Sequence, residues 1–233
     1  MSESLPVVLI PGLLLSARMY AQQVEVLWPR GPVILANHTR DDSMPALARR
    51  ILAEAPPRFS LVGLSMGGYI SFEILRQAPE RVARVALLDT TARPDTPEVS
   101  AARRVQMELA TSGSFAGVVA ALIPRLVHPS RHDDADLARL ILRMGEEVGV
   151  AGYLRQQSAN IGRIDSRPTL KDIRCPTLVL VGDSDQLTPP ERASEIAAHI
   201  RGAELVVVPE CGHLSTLERP AAVNAALRAW LER

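Results

Sequence analysis

Ser65 stands at the centre of Gly63-Leu64-Ser65-Met66-Gly67, with the apolar run Phe59-Ser60-Leu61-Val62 before it. Behind it a helical pattern runs toward Gln77, with Ile70, Ile74 and Leu75 on one face. Strand, sharp turn and helix are the setting in which Gly-x-Ser-x-Gly becomes a nucleophile elbow, a bend that lifts the serine hydroxyl above a sheet. Gly63 and Gly67 belong at the flanks because a side chain two residues either side would collide with neighbouring backbone. The pentapeptide alone also fits a surface turn. Its flanks favour the elbow.

A serine hydroxyl is a poor nucleophile until a base takes its proton, and the chain offers five histidines. His213, in Pro-Glu-Cys-Gly-His-Leu-Ser, follows the last strand-like run. If the strands are parallel, it shares a sheet edge with the elbow. His199 reads as a solvated helix residue, while His128 and His132 read as loop residues beside prolines and aspartates. His38, after the second strand, is most simply a polar loop residue.

The imidazole needs a carboxylate to fix its tautomer and stabilise the cation. Asp185 lies in the loop after the fifth strand and is the favoured acid; Asp89, at the end of the fourth, is its rival. Asp183 reads as a turn-former. A tetrahedral oxyanion also needs donors, and the backbone N–H groups of Leu13, after Pro11-Gly12, and Met66, at the start of the elbow helix, are the expected pair.

The elements that must position these groups alternate. Strands are predicted over Leu5 to Ile10, Pro32 to Ala36, the elbow run, Ala83 to Leu88, Thr177 to Val181 and Glu204 to Val208, with helices between them. Six strands alternating with helices imply a doubly wound, mostly parallel α/β sheet with right-handed crossovers. Between about Arg93 and Arg167 the pattern is only helical, clearest at Leu137, Leu140, Ile141, Met144 and Val148, with breaks expected at Pro124 and Pro129. The expected division is a core of 1–92 and 168–233 with a helical cap of 93–167, inserted where ligands bind in open α/β sheets.

Composition narrows the partners. With 26 basic and 26 acidic residues, scattered along the chain, no electrostatic case exists for nucleic acid or an anionic membrane. The N-terminal stretch carries acid and is interrupted by Pro11-Gly12, so it reads as neither signal peptide nor membrane span. Cys175 and Cys211 form neither a metal-ligand spacing nor a disulfide framework, which makes a reduced cytoplasm the default. Neither a metal nor another cofactor is expected. Aromatics are only 3% of the chain, so a pocket should be lined mainly by aliphatic side chains.

With Ser65, Asp185 and His213 in that order, the chain resembles the α/β-hydrolase superfamily, most strongly at PGLLLSARMY, GLSMGG, QAPERVARVALLD, CPTLVLVGDSDQLTPPE and CGHLSTLERP. It is most similar to the small capped esterases and lactonases. The resemblance implies a serine hydrolase acting on a small apolar carboxylic ester, thioester or lactone through an acyl-enzyme. It leaves open carbon–carbon cleavage or pyruvate elimination on the same fold, and a non-catalytic ligand-binding relative. Relatives usually carry His-Gly at the oxyanion loop. Here Pro11-Gly12 stands instead, so the bracing imidazole is expected to be absent and the proline ring to stiffen the loop. The usual leading antiparallel hairpin is also missing, and the loop ANHTRDDS is short.

Overall fold

The computed structural model describes residues 5–233, so the first four residues of the N-terminal stretch lie outside the described part. Six strands form one sheet: β1 (Val7–Ile10), β2 (Val33–Leu35), β3 (Phe59–Leu64), β4 (Val82–Leu88), β5 (Thr177–Gly182) and β6 (Glu204–Val208). All neighbours pair in parallel, in the order β2-β1-β3-β4-β5-β6. The continuous apolar runs of β1, β3 and β5 are buried along their whole length, as strands covered on both faces must be.

Alternation along each strand divides the core into two layers. Val8, Ile10 and Leu61 face α2 (Met44–Glu54), α3 (Met66–Gln77) and, further along, α7 (Pro190–His199). Val7, Leu9, Val62 and Leu64 face α1 (Ala21–Leu27) and α9 (Pro220–Leu231), whose Trp230 is fully buried. A buried aliphatic or aromatic side chain contributes about 1.5–3 kcal/mol, so both layers are needed to offset the entropy of ordering the chain.

The chain runs outward from β1 to β2 and then returns to the other side of β1 as β3. That reversal opens a crevice at the carboxyl ends of β1 and β3. Ile10 pairs with Gly63, which brings the loop after β1 beside the turn after β3.

After β4 the chain builds a helical layer from α4 (Pro97–Leu109), α5 (Phe115–Leu126) and α6 (Ala135–Ile161). Of the two expected breaks, the one at Pro129 is present, in the turn Pro129–Arg131 between α5 and α6, and the one at Pro124 is not. Pro124 lies inside the last turn of α5, where few hydrogen bonds are forfeited, and the helix continues past it. Two further bends fall at Gly113 (φ 95°) and Gly149 (φ 68°), where glycine adopts left-handed backbone without a Cβ penalty. The stretch Pro97–Leu126 is long and apolar enough by composition to match a bilayer span, but it folds back on itself at Gly113 and packs on α6. A short α8 (Ser215–Glu218) precedes α9.

Candidate active site

Ser65 has φ 54° and ψ −115°, a left-handed conformation that a side chain rarely adopts. Such strain costs on the order of 1–3 kcal/mol and persists only where the surroundings enforce it. Here the Ser65 N–H donates to the Leu88 carbonyl (2.9 Å), and its own carbonyl accepts from Thr90 Oγ1 (2.8 Å) and the Gly68 N–H (2.9 Å). The flanking glycines are sterically required. A Cβ on Gly63 would lie 2.3 Å from the Gly67 carbonyl oxygen, and one on Gly67 would lie 2.1 Å from the Ile10 carbonyl oxygen.

The distant segments meet above this turn. Ser65 Oγ lies 2.8 Å from His213 Nε2, and His213 Nδ1 lies 2.8 Å from Asp185 Oδ2. His213 is held from the cap side, its N–H donating to the Leu126 carbonyl at the end of α5 (2.9 Å). Asp185 also accepts from the Leu187 N–H (2.8 Å), the Thr188 N–H (2.9 Å) and Thr188 Oγ1 (2.8 Å). Burial pushes the Asp185 carboxyl up, but the charge and hydrogen bond of His213 and the Thr188 donors reverse this and hold it below its ordinary pKa. Burial pulls His213 down, and the Asp185 charge and hydrogen bond outweigh it, leaving the imidazole above its ordinary value.

Asp89 does not touch the imidazole. Its Oδ1 accepts from the Gly182 N–H (3.0 Å) and its Oδ2 from Ser215 Oγ, so it ties the loop carrying Asp185 to the loop carrying His213. Full burial, with the Asp185 charge next in size, raises it to about 8.

The loop after β1 is a tight turn closed by the Leu15 N–H on the Gly12 carbonyl (3.1 Å), with Leu14 at φ 61°. Among the described residues, the N–H groups of Leu13 and Met66 donate to no protein acceptor, as oxyanion donors must. The loop does not rely on Pro11 alone, which corrects the expectation of a missing imidazole. His38, 1% exposed and no simple polar loop residue, brings Nε2 to 2.9 Å from the Gly12 carbonyl oxygen. The Gly12 carbonyl and the Leu13 N–H belong to one planar peptide unit, so fixing the oxygen aims the donor. Gln156 of α6 accepts the Leu14 N–H (3.1 Å) and places its amide nitrogen 3.0 Å from the same His38 nitrogen. A carbonyl only accepts and an amide NH2 only donates, so the ring tautomer decides which partner is engaged; with its proton on Nε2 the ring holds Gly12. Burial lowers His38 to about 4, which keeps it neutral.

A family model described as "Alpha/beta hydrolase family" matches residues 7–226. The chain belongs to the α/β-hydrolase family. Among solved structures, a thermophilic esterase from Thermogutta terrifontis, determined with malate bound, superposes with a TM-score of 0.88 at 32% identity, covering 98% of this chain and 89% of that one. The enol-lactonase of Burkholderia xenovorans LB400 superposes at 0.90 with 25% identity, over 100% and 93% of the two chains. Among curated proteins, the putative non-heme bromoperoxidase BpoC of Mycobacterium tuberculosis is 29% identical over 178 residues, 74% of this chain and 67% of that protein.

The remaining residues singled out in the sequence of this α/β-hydrolase have supporting places. Asp183 accepts the N–H groups of Glu210 (2.9 Å) and Cys211 (3.2 Å), stitching the loops after β5 and β6 together. His199 is exposed, with Nδ1 on the Glu195 carbonyl (2.7 Å), and His128 and His132 lie at the turn between α5 and α6. Glu218, which sequence reasoning passed over, accepts the N–H groups of Gly212 (3.0 Å) and Leu214 (3.3 Å) on either side of His213, and that of His128 (2.7 Å). Its signal was a carboxylate one short helix beyond the histidine. Among the described residues, no three His, Cys, Asp or Glu side chains gather as metal ligands.

Beneath the cap lies a pocket of about 400 Å³ reached by Ser65, Met66, Leu13 and His213. Leu14, Val119, Leu122, Leu126 and Ile141 give it apolar walls, and Arg93, Asp95, Arg103 and Arg163 line it as well.

Proposed function

We propose that this α/β-hydrolase is a serine-dependent carboxylic ester hydrolase that cleaves small esters or lactones within the cap pocket. The observation that carries the reading is the unbroken relay of 2.8 Å contacts from Ser65 Oγ through His213 to Asp185. It is supported by the likeness to an esterase at 32% identity and to an enol-lactonase over the whole chain.

In this reading His213 Nε2 takes the Ser65 proton as Oγ attacks the carbonyl carbon. The carbonyl electrons move onto oxygen, where the N–H groups of Leu13 and Met66 receive the charge; preorganised donors of this kind contribute about 3–4 kcal/mol each in the transition state. Collapse of the adduct expels the alcohol oxygen, which takes the proton from His213 and leaves an acyl-serine. Water, deprotonated by the same imidazole, attacks the acyl carbon and restores Ser65. Asp185 holds His213 with its proton on Nδ1, so Nε2 faces the serine as a base, and stabilises the cation formed in each step. Residues 93–167 act as the cap that bounds the substrate, and the apolar side chains of α5 and α6 hold its body.

The test is Ser65→Ala. It should fold with unchanged thermal stability or better, because it removes only the nucleophile, and turnover of p-nitrophenyl acetate should fall to the level of free solution. Retained turnover would reject Ser65 as the nucleophile.

A further inference from the structure

One wall of the pocket carries more positive charge than its own carboxylates balance. Asp95, with its side chain 3% exposed, is shared by two guanidinium groups: Arg103 (Nε to Oδ2, 2.6 Å) and Arg163 (Nη1 to Oδ1, 2.8 Å). Arg163 is itself 8% exposed, lies over the Tyr69 ring at 4.2 Å, and donates to the carbonyls of Arg93 (3.2 Å) and Asn160 (3.1 Å). Arg93 is matched one to one by Glu195 (2.9 and 2.7 Å). Arg192, one turn before Glu195 on α7, is half-buried and lines the same pocket, and among the described residues no carboxylate lies within 4.0 Å of it. Arg125 lines the pocket as well, and among the described residues it too has no carboxylate within 4.0 Å, so positive charge is in excess along the lining.

A second observation points the same way. Asn160 is 1% exposed and lines the pocket, yet its side-chain oxygen is buried without a hydrogen-bond partner. Among the described residues the Asn160 NH2 also donates to no protein acceptor, so beside the guanidinium groups it is a free donor for the oxygens of a ligand. The buried Oδ1, an acceptor, is not what a carboxylate would satisfy. Guanidinium forks match carboxylates in geometry, and a low-dielectric cleft of one sign concentrates the opposite charge.

We propose that Asn160, Arg163 and Arg192, with Arg93 and Arg103 behind them, form a subsite for a carboxylate on the substrate, so that the preferred esters have an apolar body and a distal anion, as in half-esters of dicarboxylic acids. The neutral pair Arg93–Glu195 positions the wall, and the carboxylate balances the surplus charge. The inference rests on the hydrolase reading for its kinetic consequence but not for its binding consequence.

The experiment therefore has two arms. In the first, monomethyl glutarate and dimethyl glutarate are titrated into Ser65→Ala by calorimetry; the half-ester should bind at least tenfold more tightly, and the gap should shrink as salt rises. In the second, the ratio of kcat/KM for the two esters is measured in the otherwise unmodified enzyme and in Arg192→Gln and Asn160→Ala. The ratio should favour the half-ester by tenfold or more and fall toward one in both variants. Equal binding of the two esters, or a preference untouched by either substitution, would overturn the subsite. Should neither ester be turned over while the binding gap stands, the hydrolase reading fails and the subsite survives.

Discussion

Replacing the two buried aspartates one at a time separates the acid that orients the base from the acid that ties loops. In Asp185→Asn the new amide has no free choice of orientation. Oδ1 of Asp185 accepts two backbone N–H groups, from Leu187 and Thr188, so the asparagine oxygen must take that place. Its NH2 then faces His213 Nδ1, which Oδ2 contacts at 2.8 Å, and donates to it. The imidazole is forced to carry its proton on Nε2, pointing at Ser65, and no longer serves as a base. A misassigned tautomer of this kind lowers kcat by about 10⁴, equivalent to roughly 5.5 kcal/mol of barrier. Asp89→Asn is different. Burial and, next in size, the Asp185 charge raise the Asp89 carboxyl and favour its neutral form, so an amide is close to it in charge and shape. Its oxygen keeps the Gly182 N–H, and the Ser215 hydroxyl turns to accept from the NH2. At pH 7, kcat/KM for p-nitrophenyl acetate should stay within about threefold of the unmodified enzyme. Stopped-flow or steady-state assays of both variants, each checked for folding by circular dichroism, decide the matter. A hundredfold loss in Asp89→Asn with only a small loss in Asp185→Asn would refute the assignment.

The oxyanion loop and the pH profile give further tests. Gln156→Leu leaves the Leu14 N–H without its acceptor, which should cost about 1–3 kcal/mol of stability. It should also lower kcat by about tenfold with little change in KM, and weaken a boronic acid transition-state analogue in step with kcat/KM; a stability loss with kcat and analogue affinity unchanged would mean that Gln156 only packs. Because His213 must be neutral to act as a base and sits above its ordinary value, kcat/KM should fall on acidification with a midpoint above pH 6.5. An acid limb with its midpoint below that value would contradict the ion pair, whereas Asp185→Asn, which removes the raising charge, should move the residual limb downward.

Much of this site was legible in the chain because its signals are local. Continuous apolar runs named the six strands, and the glycines around Ser65 named the elbow, since each has a single steric reason to be there. His213 followed from its place after the last strand once the sheet was taken as parallel. The choice between Asp185 and Asp89 was not local: both end up beside each other at the carboxyl edge, and only the side-chain geometry shows which one meets the imidazole. The bracing of the loop after β1, the proposed oxyanion loop, was illegible for a related reason. His38 comes from the β2 loop and Gln156 from α6, 142 residues from the Leu14 whose N–H it accepts, and a polar residue in a polar-looking stretch carries no mark of its burial. In the cap Pro129 marks a break as expected, but Pro124 does not, because loss of one N–H in a last turn is tolerated, and two further bends are made by glycines at positive φ. Its cationic wall was likewise hidden, the arginines being spread over four separate elements.

The most direct measurement is covalent labelling of the enzyme by a fluorophosphonate probe followed by mass spectrometry of the digested protein. The expected result is a single modified peptide bearing the label on Ser65, formed rapidly in the unmodified enzyme and slowed by orders of magnitude in His213→Ala. A Ser65 that stays unlabelled, or reacts at the same rate with His213 removed, would contradict it.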